Sequence, residues 1–335
     1  MIDFSTLQGL TIPEGVVTQI TDAAGNVLWA LSGGKVILEV EKITSNTYAA
    51  ETTYENEQFI LLDIYPKTNG TVSVTYGGLT KTITDTSGAE KPNAQEVFFG
   101  TFNGVSDSVA TPASGELTIE GKFAAFAVGT YAKDSSFKNS NTPCSCITAV
   151  SDLSGITSIP ARAFDRCTKI TDITISDSVE SVIASAFYGC TGLTTIDVEN
   201  GNGFYSSENG VLFTAKKLML VKYPLGKTST QYTIPSSVTS IGTEAFYDCS
   251  TITNYTFPAS VRSIESSAFA LTRGNRTLTF LGTTPPTLPK FSDGSINWPF
   301  GSCINNIVVP KGCRDVYITA GYAENDDDQY ITEAS

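Results

Sequence analysis

Residues 234–256, IPSSVTSIGTEAFYDCSTITNYT, and residues 257–279, FPASVRSIESSAFALTRGNRTLT, share one pattern of apolar residues. Each contains Val-x-x-Ile-x-x-x-Ala-Phe, and the two phenylalanines, Phe246 and Phe269, are 23 positions apart. Residues earlier in the chain keep the same spacing of 23: Phe164 and Phe187, and Cys144, Cys167 and Cys190. A fixed period of this length indicates that one small structural unit is stacked several times.

Each cysteine is followed by apolar residues at the spacing Leu-x-x-Leu-x-Leu. The copies are Cys167-x-x-Ile170-x-x-Ile173-x-Ile175, Cys190-x-x-Leu193-x-x-Ile196-x-Val198 and Cys249-x-x-Ile252-x-x-Tyr255-x-Phe257. At a period of about 20–29 residues, this spacing is typical of leucine-rich repeats. We expect alternate strand residues to point into the stack and Ala-Phe to lie on a short return helix that covers it. Because one repeat cannot bury its apolar face alone, the pattern predicts a solenoid with short helices over residues 141–335.

Two stretches interrupt the period. Residues 199–233 contain two Gly-Asn or Asn-Gly turns and several apolar runs, which predict an elaborated repeat with an inserted hairpin. Residues 283–289, TTPPTLP, disrupt regular structure. A last strand is expected at 304–310, and residues 314–322 are expected to cap the solenoid.

The front half of the chain has a period of two residues. Val36, Leu38 and Val40 alternate with Lys35 and Glu39. Further strands are predicted at 58–65, 70–76, 79–84, 95–102, 115–120 and 122–131. About seven short strands separated by Gly, Pro and Asn turn signals predict an immunoglobulin-like β-sandwich over residues 33–140. The strand order stays open.

Residues 1–32 form a short separate segment. A strand at 12–20, a turn at 22–26 and a strand at 27–31 predict a β-hairpin. A two-stranded hairpin is marginally stable alone. Its apolar side chains are therefore expected to dock, either on this chain or on a partner assembly: Val17, Ile20, Val27 and Trp29.

Composition excludes many functions. The sequence has 335 residues, no histidine and a net charge of −13. Without histidine there is no Ser-His-Asp or Cys-His nucleophile and no His-ligated zinc. The charge argues against nucleic acid and against anionic membrane surfaces, which bind through Lys and Arg clusters. No apolar run is long enough to span a bilayer. We expect no Sec signal peptide, because MIDFSTLQGL lacks a basic region followed by an apolar stretch.

The cysteines and the acidic cluster suggest packing and solvation rather than chemistry. Cys144, Cys167, Cys190 and Cys249 are predicted to form a buried column, since free cysteine behaves as a small hydrophobe. A metal or redox site at Cys144 and Cys146 is the alternative, and Cys303 could pair with Cys313. The acidic residues at 325–329 are interpreted as a solvated segment rather than a calcium site. No motif marks a glycosidase carboxylate pair. No cofactor or metal is predicted.

The columns Ile-Pro-x-x-Val-x-x-Ile-x-x-x-Ala-Phe-x-x-Cys resemble the BspA-like leucine-rich repeats of bacterial surface proteins. Residues 234–249 match them throughout, and the insert at 207–224 and the terminal Ile307-Val308-Val309-Pro310-Lys311-Gly312 are similar to the same family. The resemblance implies adhesion and recognition of protein or glycan rather than catalysis. Separately, Val17–Trp29, VTQITDAAGNVLW, resembles a segment of tail-associated proteins of phages and prophages that infect gut Firmicutes.

Strand residues that face out of the solenoid are the candidate ligand-binding residues, since solenoids commonly bind through such surfaces. One column is Ser151, Thr174, Asp197, Thr256 and Thr279, and a second is Thr148, Thr171, Thr194 and Thr253. The alternative is that threonine is simply a good solvent-facing strand residue. The aromatic residues Tyr205 and Trp298 are further candidates on loops.

These observations predict a non-enzymatic host-attachment protein of a phage tail. Its N-terminal segment would bind other virion proteins, its solenoid would bind a bacterial surface protein or glycan, and it would form a homo-oligomer located in the virion tail. Neither nucleic-acid binding nor membrane insertion is expected. A bacterial cell-surface adhesin and a purely structural tail or decoration protein are the alternatives.

Overall fold

The computed structural model describes the larger part of the chain. The described residues are 19–21, 27–30, 34–40, 59–67, 70–85, 95–102, 105–106, 115–121, 123–128, 147–300, 304–323 and 330–334. The protein is mainly β, as predicted. The chain divides into two compact units, Met1–Gly33 and Gly34–Ser335.

The first unit contains a β-hairpin. β1 (Gln19–Thr21) pairs antiparallel with β2 (Val27–Ala30), and Ile20 lies opposite Trp29. The hairpin agrees with the alternation of turn and apolar residues in this segment. Val17, one of the four predicted attachment residues, lies outside the described residues.

Two antiparallel sheets begin the second unit. Their strands are β3 (Gly34–Val40), β4 (Phe59–Pro66), β5 (Thr71–Tyr76), β6 (Leu79–Thr84), β7 (Gln95–Phe102), β8 (Val105–Ser106), β9 (Gly115–Gly121), β10 (Phe123–Val128) and β11 (Ile147–Asp152). One sheet has the order β10-β4-β7-β8 and the other β11-β3-β9-β5-β6. Residues of both sheets bury their apolar faces in one core, for example Leu62 with Val74 and Ile119. The immunoglobulin-like topology stays a prediction.

The period of two places alternate residues of β5 in this core. Val72, Val74 and Tyr76 are buried, while the residues between them are partly solvated. Gly77 and Gly78 connect β5 to β6 with φ of 59° and 80°. A two-residue hairpin turn of this kind requires positive φ at both positions, which glycine adopts without a Cβ penalty.

The sandwich sheet covers the first end of the solenoid. β11, which the sequence assigns to the repeats, pairs antiparallel with β3, and Lys35 N donates to Ser154 O at 2.7 Å. Phe126 of β10 meets Phe164 of the first complete repeat edge to face at 5.6 Å. Because a terminal repeat exposes an apolar face, this packing supplies the cap that a solenoid needs.

The repeats form two series of short parallel strands. One series is β13 (Asp172–Ile175), β15 (Thr195–Val198), β19 (Gln231–Thr233), β21 (Asn254–Phe257), β23 (Arg276–Phe280), β24 (Ile304–Val309) and β25 (Ile331–Glu333). The other is β12 (Ser158–Ile159), β14 (Ser181–Val182), β18 (Met219–Lys222), β20 (Ser240–Ile241) and β22 (Ser263–Ile264). Neighbouring strands pair at the repeat spacing, as in Thr256 with Thr279 and Ile241 with Ile264.

The Ala-Phe segments line the inside of the stack. Phe246 stacks on Phe269 at 4.9 Å, and Phe269 stacks on Phe300 at 5.3 Å. The predicted return helix is mostly a turn: in the described repeats only Ala184–Phe187 forms a short 3₁₀ helix. The turn carries inter-repeat hydrogen bonds instead, such as Phe246 N to Ala268 O at 2.7 Å. This backbone pairing satisfies polar groups that a helix would have paired internally.

The elaborated repeat contains the predicted hairpin. β16 (Tyr205–Glu208) and β17 (Val211–Thr214) are joined by Asn209-Gly210, both with positive φ, and β17 continues to β18. The buried apolar residues form two clusters, an N-terminal core of the sandwich and first repeats and a C-terminal core of the later repeats. Leu212 and Val221 belong to the N-terminal core, whereas Phe213 belongs to the C-terminal core. The inserted strands therefore form a wall between two cores, because successive strand residues point to opposite faces.

The C-terminal end is closed by α1 (Arg314–Tyr317) and a helical turn at Ile318–Tyr322. The hydroxyl of Tyr317 donates to Gly282 O at 2.7 Å, and that of Tyr322 donates to Pro286 O at 3.0 Å. Both rings pack on Phe280. The predicted capping role of this segment is consistent with these contacts. None of the helices in the described part of the chain is long and apolar enough to cross a membrane.

Candidate functional site

The first predicted column lies on the solvent side of the strands but does not form one continuous row. Thr174 pairs with Asp197 on the two-stranded sheet β13-β15. Thr256 pairs with Thr279 on the five-stranded sheet that begins at β19. Ser151 was placed in the same column; it lies on β11, which pairs with β3 of the sandwich, and its place in the column stays a prediction. The insert separates the two sheets, so the strand face has two parts.

Sequence reasoning missed two members of this column. Thr233 pairs with Thr256, and Thr332 pairs with Val308 in the last strand. Thr233 lies 23 residues before Thr256, so the period itself identifies it once the insert is recognised as part of a repeat. Val308 follows Thr279 by 29 residues and Thr332 follows Val308 by 24, so the period of 23 does not reveal Thr332.

The second column stabilises the stack. The hydroxyl of Thr194 donates to Thr171 O at 3.1 Å, and that of Thr253 donates to Thr230 O at 3.2 Å. The hydroxyl of Thr239 makes the equivalent bond to Leu218 O at 3.0 Å. Each of these carbonyls also accepts backbone N–H groups of the following coil, so the hydroxyl adds a further bond between neighbouring coils. Threonine at these positions therefore has a structural role; binding by Thr171, Thr194 and Thr253 stays a prediction.

The two aromatic candidates are half-buried rather than free loop side chains. The hydroxyl of Tyr205 accepts a hydrogen bond at 2.8 Å from the backbone N of Val182 in the short strand β14. Trp298 meets Phe300 edge to face at 5.1 Å. Their packing accounts for both residues without a ligand.

A pocket of about 480 Å³ lies where the strand face is interrupted. Its lining residues come from the position before β15, the hairpin, the segment that follows β18 and β19 itself: Thr194, Asn209, Val211, Tyr223, Gly226, Lys227, Thr228, Ser229 and Tyr232. No residue of this pocket except Thr194 was predicted. The insert gave no chemical motif, because the lining residues are dispersed over 39 positions of sequence from 194 to 232.

Local backbone contacts position the pocket walls. Gly226 N donates to Leu193 O at 2.7 Å, and Ile196 N donates to Gly210 O at 3.0 Å. A Cβ on Gly226 would lie 2.7 Å from the carbonyl carbon of Gly192, so only glycine allows this approach. The segment at Gly226 and the hairpin turn at Gly210 are thus both held close to the backbone of residues 192–196.

Two tyrosines form the aromatic part of the pocket. The rings of Tyr223 and Tyr232 meet edge to face at 4.9 Å. Burial raises the pKa of Tyr223 to about 12 and also raises the pKa of Tyr232. Both phenols are therefore neutral hydrogen-bonding groups at physiological pH. Lys227 is the one charged residue in the lining.

A buried lysine lies behind Tyr223. Hydrogen bonding shows that Lys222-Tyr223 occupy the positions of Ala-Phe, since Tyr223 N donates to Ala245 O as Phe246 N donates to Ala268 O. Burial lowers the pKa of Lys222, and its Nζ donates to Glu244 O at 3.2 Å. Desolvation outweighs the attraction of nearby acidic groups here.

The predicted cysteine column is confirmed for Cys167, Cys190 and Cys249, which are all buried in the stack. Burial raises the pKa of Cys249 to about 11, so it remains a thiol. Cys313 is also free, which contradicts a bond with Cys303. Cys144, Cys146, Cys303 and the acidic residues 325–329 lie outside the described residues. Where side chains are described, no cluster of three or more Cys, Asp or Glu residues could hold a metal ion.

Together these features define a leucine-rich-repeat solenoid with a pocket at its elaborated repeat. Residues 130–225 and 226–285 match the family described as the BspA type leucine rich repeat region, in 6 copies. The chain therefore carries a BspA-type repeat region, as the sequence resemblance indicated. No curated protein matches the chain.

Three solved structures are similar to parts of the chain. The pneumococcal vaccine antigen PcpA is 18% identical, with 50% of this chain and 57% of that chain covered and a TM-score of 0.29. A leucine rich cell surface protein from Faecalibacterium prausnitzii A2-165 is 24% identical, with 47% of this chain and 46% of that chain covered and a TM-score of 0.37. A leucine-rich repeat protein from Eubacterium ventriosum ATCC 27560 is 18% identical, with 57% of this chain and 75% of that chain covered and a TM-score of 0.32. The chain spans about half the length of the first two. At these TM-scores, the likenesses support no statement about function.

Proposed function

We propose that the protein is a non-enzymatic, adhesion-type binding protein of a bacterial cell surface, which contacts its target through the strand face of the solenoid. The observation that carries the proposal is the row of in-register polar side chains on parallel strands, Thr233, Thr256 and Thr279, within a BspA-type region. Parallel strands hold such a row rigidly, so little conformational entropy is lost on binding.

The chemistry of the chain supports binding rather than catalysis. The sequence has no histidine, and the pocket lining has no carboxylate that could act as a general acid or base. The raised pKa of Cys249 disfavours the thiolate that a nucleophile needs.

The experiment measures attachment of the full chain to bacterial and epithelial cells by flow cytometry. Thr256→Lys combined with Thr279→Lys places bulk and charge on the strand face and is expected to weaken attachment at least about tenfold. Ser236→Lys combined with Ser237→Lys, at exposed turn positions, is the matched control. Equal attachment of both double variants would exclude the strand face as the binding surface.

Host attachment in a phage tail is a second candidate, supported by the separate N-terminal unit Met1–Gly33 with its hairpin. In that case the N-terminal unit would bind virion proteins, and the protein would be located in the tail. Immunogold labelling distinguishes the two: label on the cell envelope supports the adhesin, and label on tail particles supports host attachment.

A further inference from the structure

We propose that the pocket lined by Tyr223, Lys227 and Tyr232 binds one acidic saccharide unit, a pyranose that carries a carboxylate. The inference rests on the proposed function, because it names the ligand class of an adhesion-type protein. It adds a defined site to the strand face and assigns a charge to the ligand.

The size and the aromatic content of the pocket suit a sugar ring. Its volume of about 480 Å³ lies within the range of small-ligand sites, about 300–1,000 Å³. Tyr232 supplies the partly exposed ring of the lining, whereas Tyr223 is only 2% exposed, stacks on Phe246 and packs edge to face against Tyr232. Aromatic surfaces pack against the apolar C–H face of a pyranose, while their hydroxyls remain available to its polar edge.

The polar lining suits sugar hydroxyls. Asn209 offers an amide that donates and accepts, and Thr228 offers a hydroxyl. Within the described part of the chain, neither side chain makes a hydrogen bond to another protein group. Ser229 is already used, since its Oγ donates to Gln231 O at 2.6 Å. The available groups are therefore neutral donors and acceptors beside the partly exposed ring of Tyr232.

Charge decides for an acidic sugar over a neutral one. Lys227 supplies the positive charge of the lining, and no lining residue is acidic. Glu208 is the acidic residue whose charge contributes to the raised pKa of Tyr232, and its carboxylate is paired with Lys217 at 2.5 Å. In a chain with a net charge of −13, a cationic pocket favours an anionic group at this position over neutral competitors.

The walls are rigid enough to select a ligand. Gly226 is fixed against Gly192 and Leu193, and Gly210 against Thr195, where an added Cβ would lie 3.1 Å from Cα. The Asn209-Gly210 turn is held by β16 and β17. A preformed pocket pays little ordering cost when the ligand enters.

The test is calorimetric titration of the full chain with 3′-sialyllactose, trigalacturonate and lactose. The first probe represents animal glycans and the second represents uronic-acid polysaccharides, so the probe that binds identifies the source. We expect saturable one-to-one binding of an acidic probe and binding at least about tenfold weaker for lactose. Equal binding of lactose, or no binding of either acidic probe, would overturn the proposal.

Variants connect binding to the pocket. Lys227→Met and Thr228→Val are each expected to weaken the acidic probe about tenfold, whereas Lys290→Met, at an exposed lysine outside the pocket, leaves it unchanged. Unchanged thermal unfolding verifies that each variant folds. Equal affinities of Lys227→Met and Lys290→Met would contradict the assignment.

The two proposals fail in different ways. Attachment to cells without binding of any acidic probe would overturn the pocket inference and leave the adhesion proposal intact. Pocket-dependent binding of an acidic probe without attachment to cells would overturn the adhesion proposal alone.

Discussion

The regular repeats and the elaborated repeat use the same columns for different purposes. At 245–249 and 268–272, Ala-Phe and a small residue fill the stack, and the rings of Phe246 and Phe269 are almost parallel, 6° apart. In the elaborated repeat, Lys222, Tyr223 and Gly226 occupy these positions. There the core divides into two clusters, and a pocket opens on the strand face. An insert can therefore open a pocket in a packing unit while the hydrogen-bonded stack continues.

The largest expected effect breaks the regular column. Phe246→Ala removes a fully buried ring that contacts Tyr223, Tyr255 and Phe269. The free energy of unfolding should fall by about 3–5 kcal/mol, measured by urea denaturation. Phe291→Ala, at a 54% exposed ring, is the control and should cost little. A loss below about 1 kcal/mol for Phe246→Ala would show that the stack relaxes around the cavity.

The next effect tests the elaborated repeat. Gly226→Ala forces Cβ to within 2.7 Å of Gly192 and should destabilise the fold by about 1–3 kcal/mol, since backbone must move. Gly203→Ala has open space around the new Cβ and is the matched control. Denaturant midpoints compare the two variants. Equal midpoints would mean that the chain crossing behind the pocket is not tightly packed.

Lys222→Met sharpens the comparison through pH. Because the folded-state pKa of Lys222 is lowered, the unfolded chain binds more protons, and native stability rises with pH up to the unfolded pKa of about 10.4. Lys222→Met has no ionisable group at this position, so its stability lacks this dependence on pH. It should therefore be more stable than the native chain by about 1–2 kcal/mol near pH 7, and the difference should narrow as the pH approaches about 10.

The control for this measurement is Lys217→Met, which alters a surface ion pair with Glu208 and should change stability by less than about 1 kcal/mol. Glu244 O still accepts a hydrogen bond from Tyr247 N in Lys222→Met, so the carbonyl is not left unpaired. A constant difference across the pH range would contradict the lowered pKa.

The smallest effect lies in the turn after the Phe column. Leu271 has a φ of 55° where the equivalent Gly189 has 68°. Leu271→Gly removes left-handed strain of about 1 kcal/mol but gains flexibility in the unfolded chain, so a net gain of about 0.5 kcal/mol is expected. Leu281→Gly, at another exposed leucine without positive φ, should instead lose about 0.5–1 kcal/mol. Calorimetric melting temperatures separate the two signs.

The regular half of the solenoid was predictable because its signals are local and repeated. The period of 23 predicts the strands, the Phe column and the buried cysteines directly. The hairpin is predicted by a different local signal, the turn residues Asn209-Gly210. The break in the row of candidate residues was not predictable. Ser151 shares the period with Thr174, but its strand also pairs with β3, a contact between segments that are distant in sequence.

The pocket was the least predictable feature, because its residues follow no period. Thr194, Asn209 and Tyr232 come together only after the hairpin docks on β15. The same holds for Lys222: nothing in Leu220-Val221-Lys222-Tyr223 indicates that the lysine takes the place of an alanine inside the stack.

The sequence by itself determined the β-rich composition, the repeat period and the exclusion of histidine chemistry. Alternation and spacing act within one coil, so they can be read from the chain. The tertiary structure decided how the sandwich closes the first coil, where the strand face breaks and which polar groups lose water. These outcomes depend on contacts between distant segments, because burial and pKa are set by what packs against a residue rather than by its neighbours in sequence.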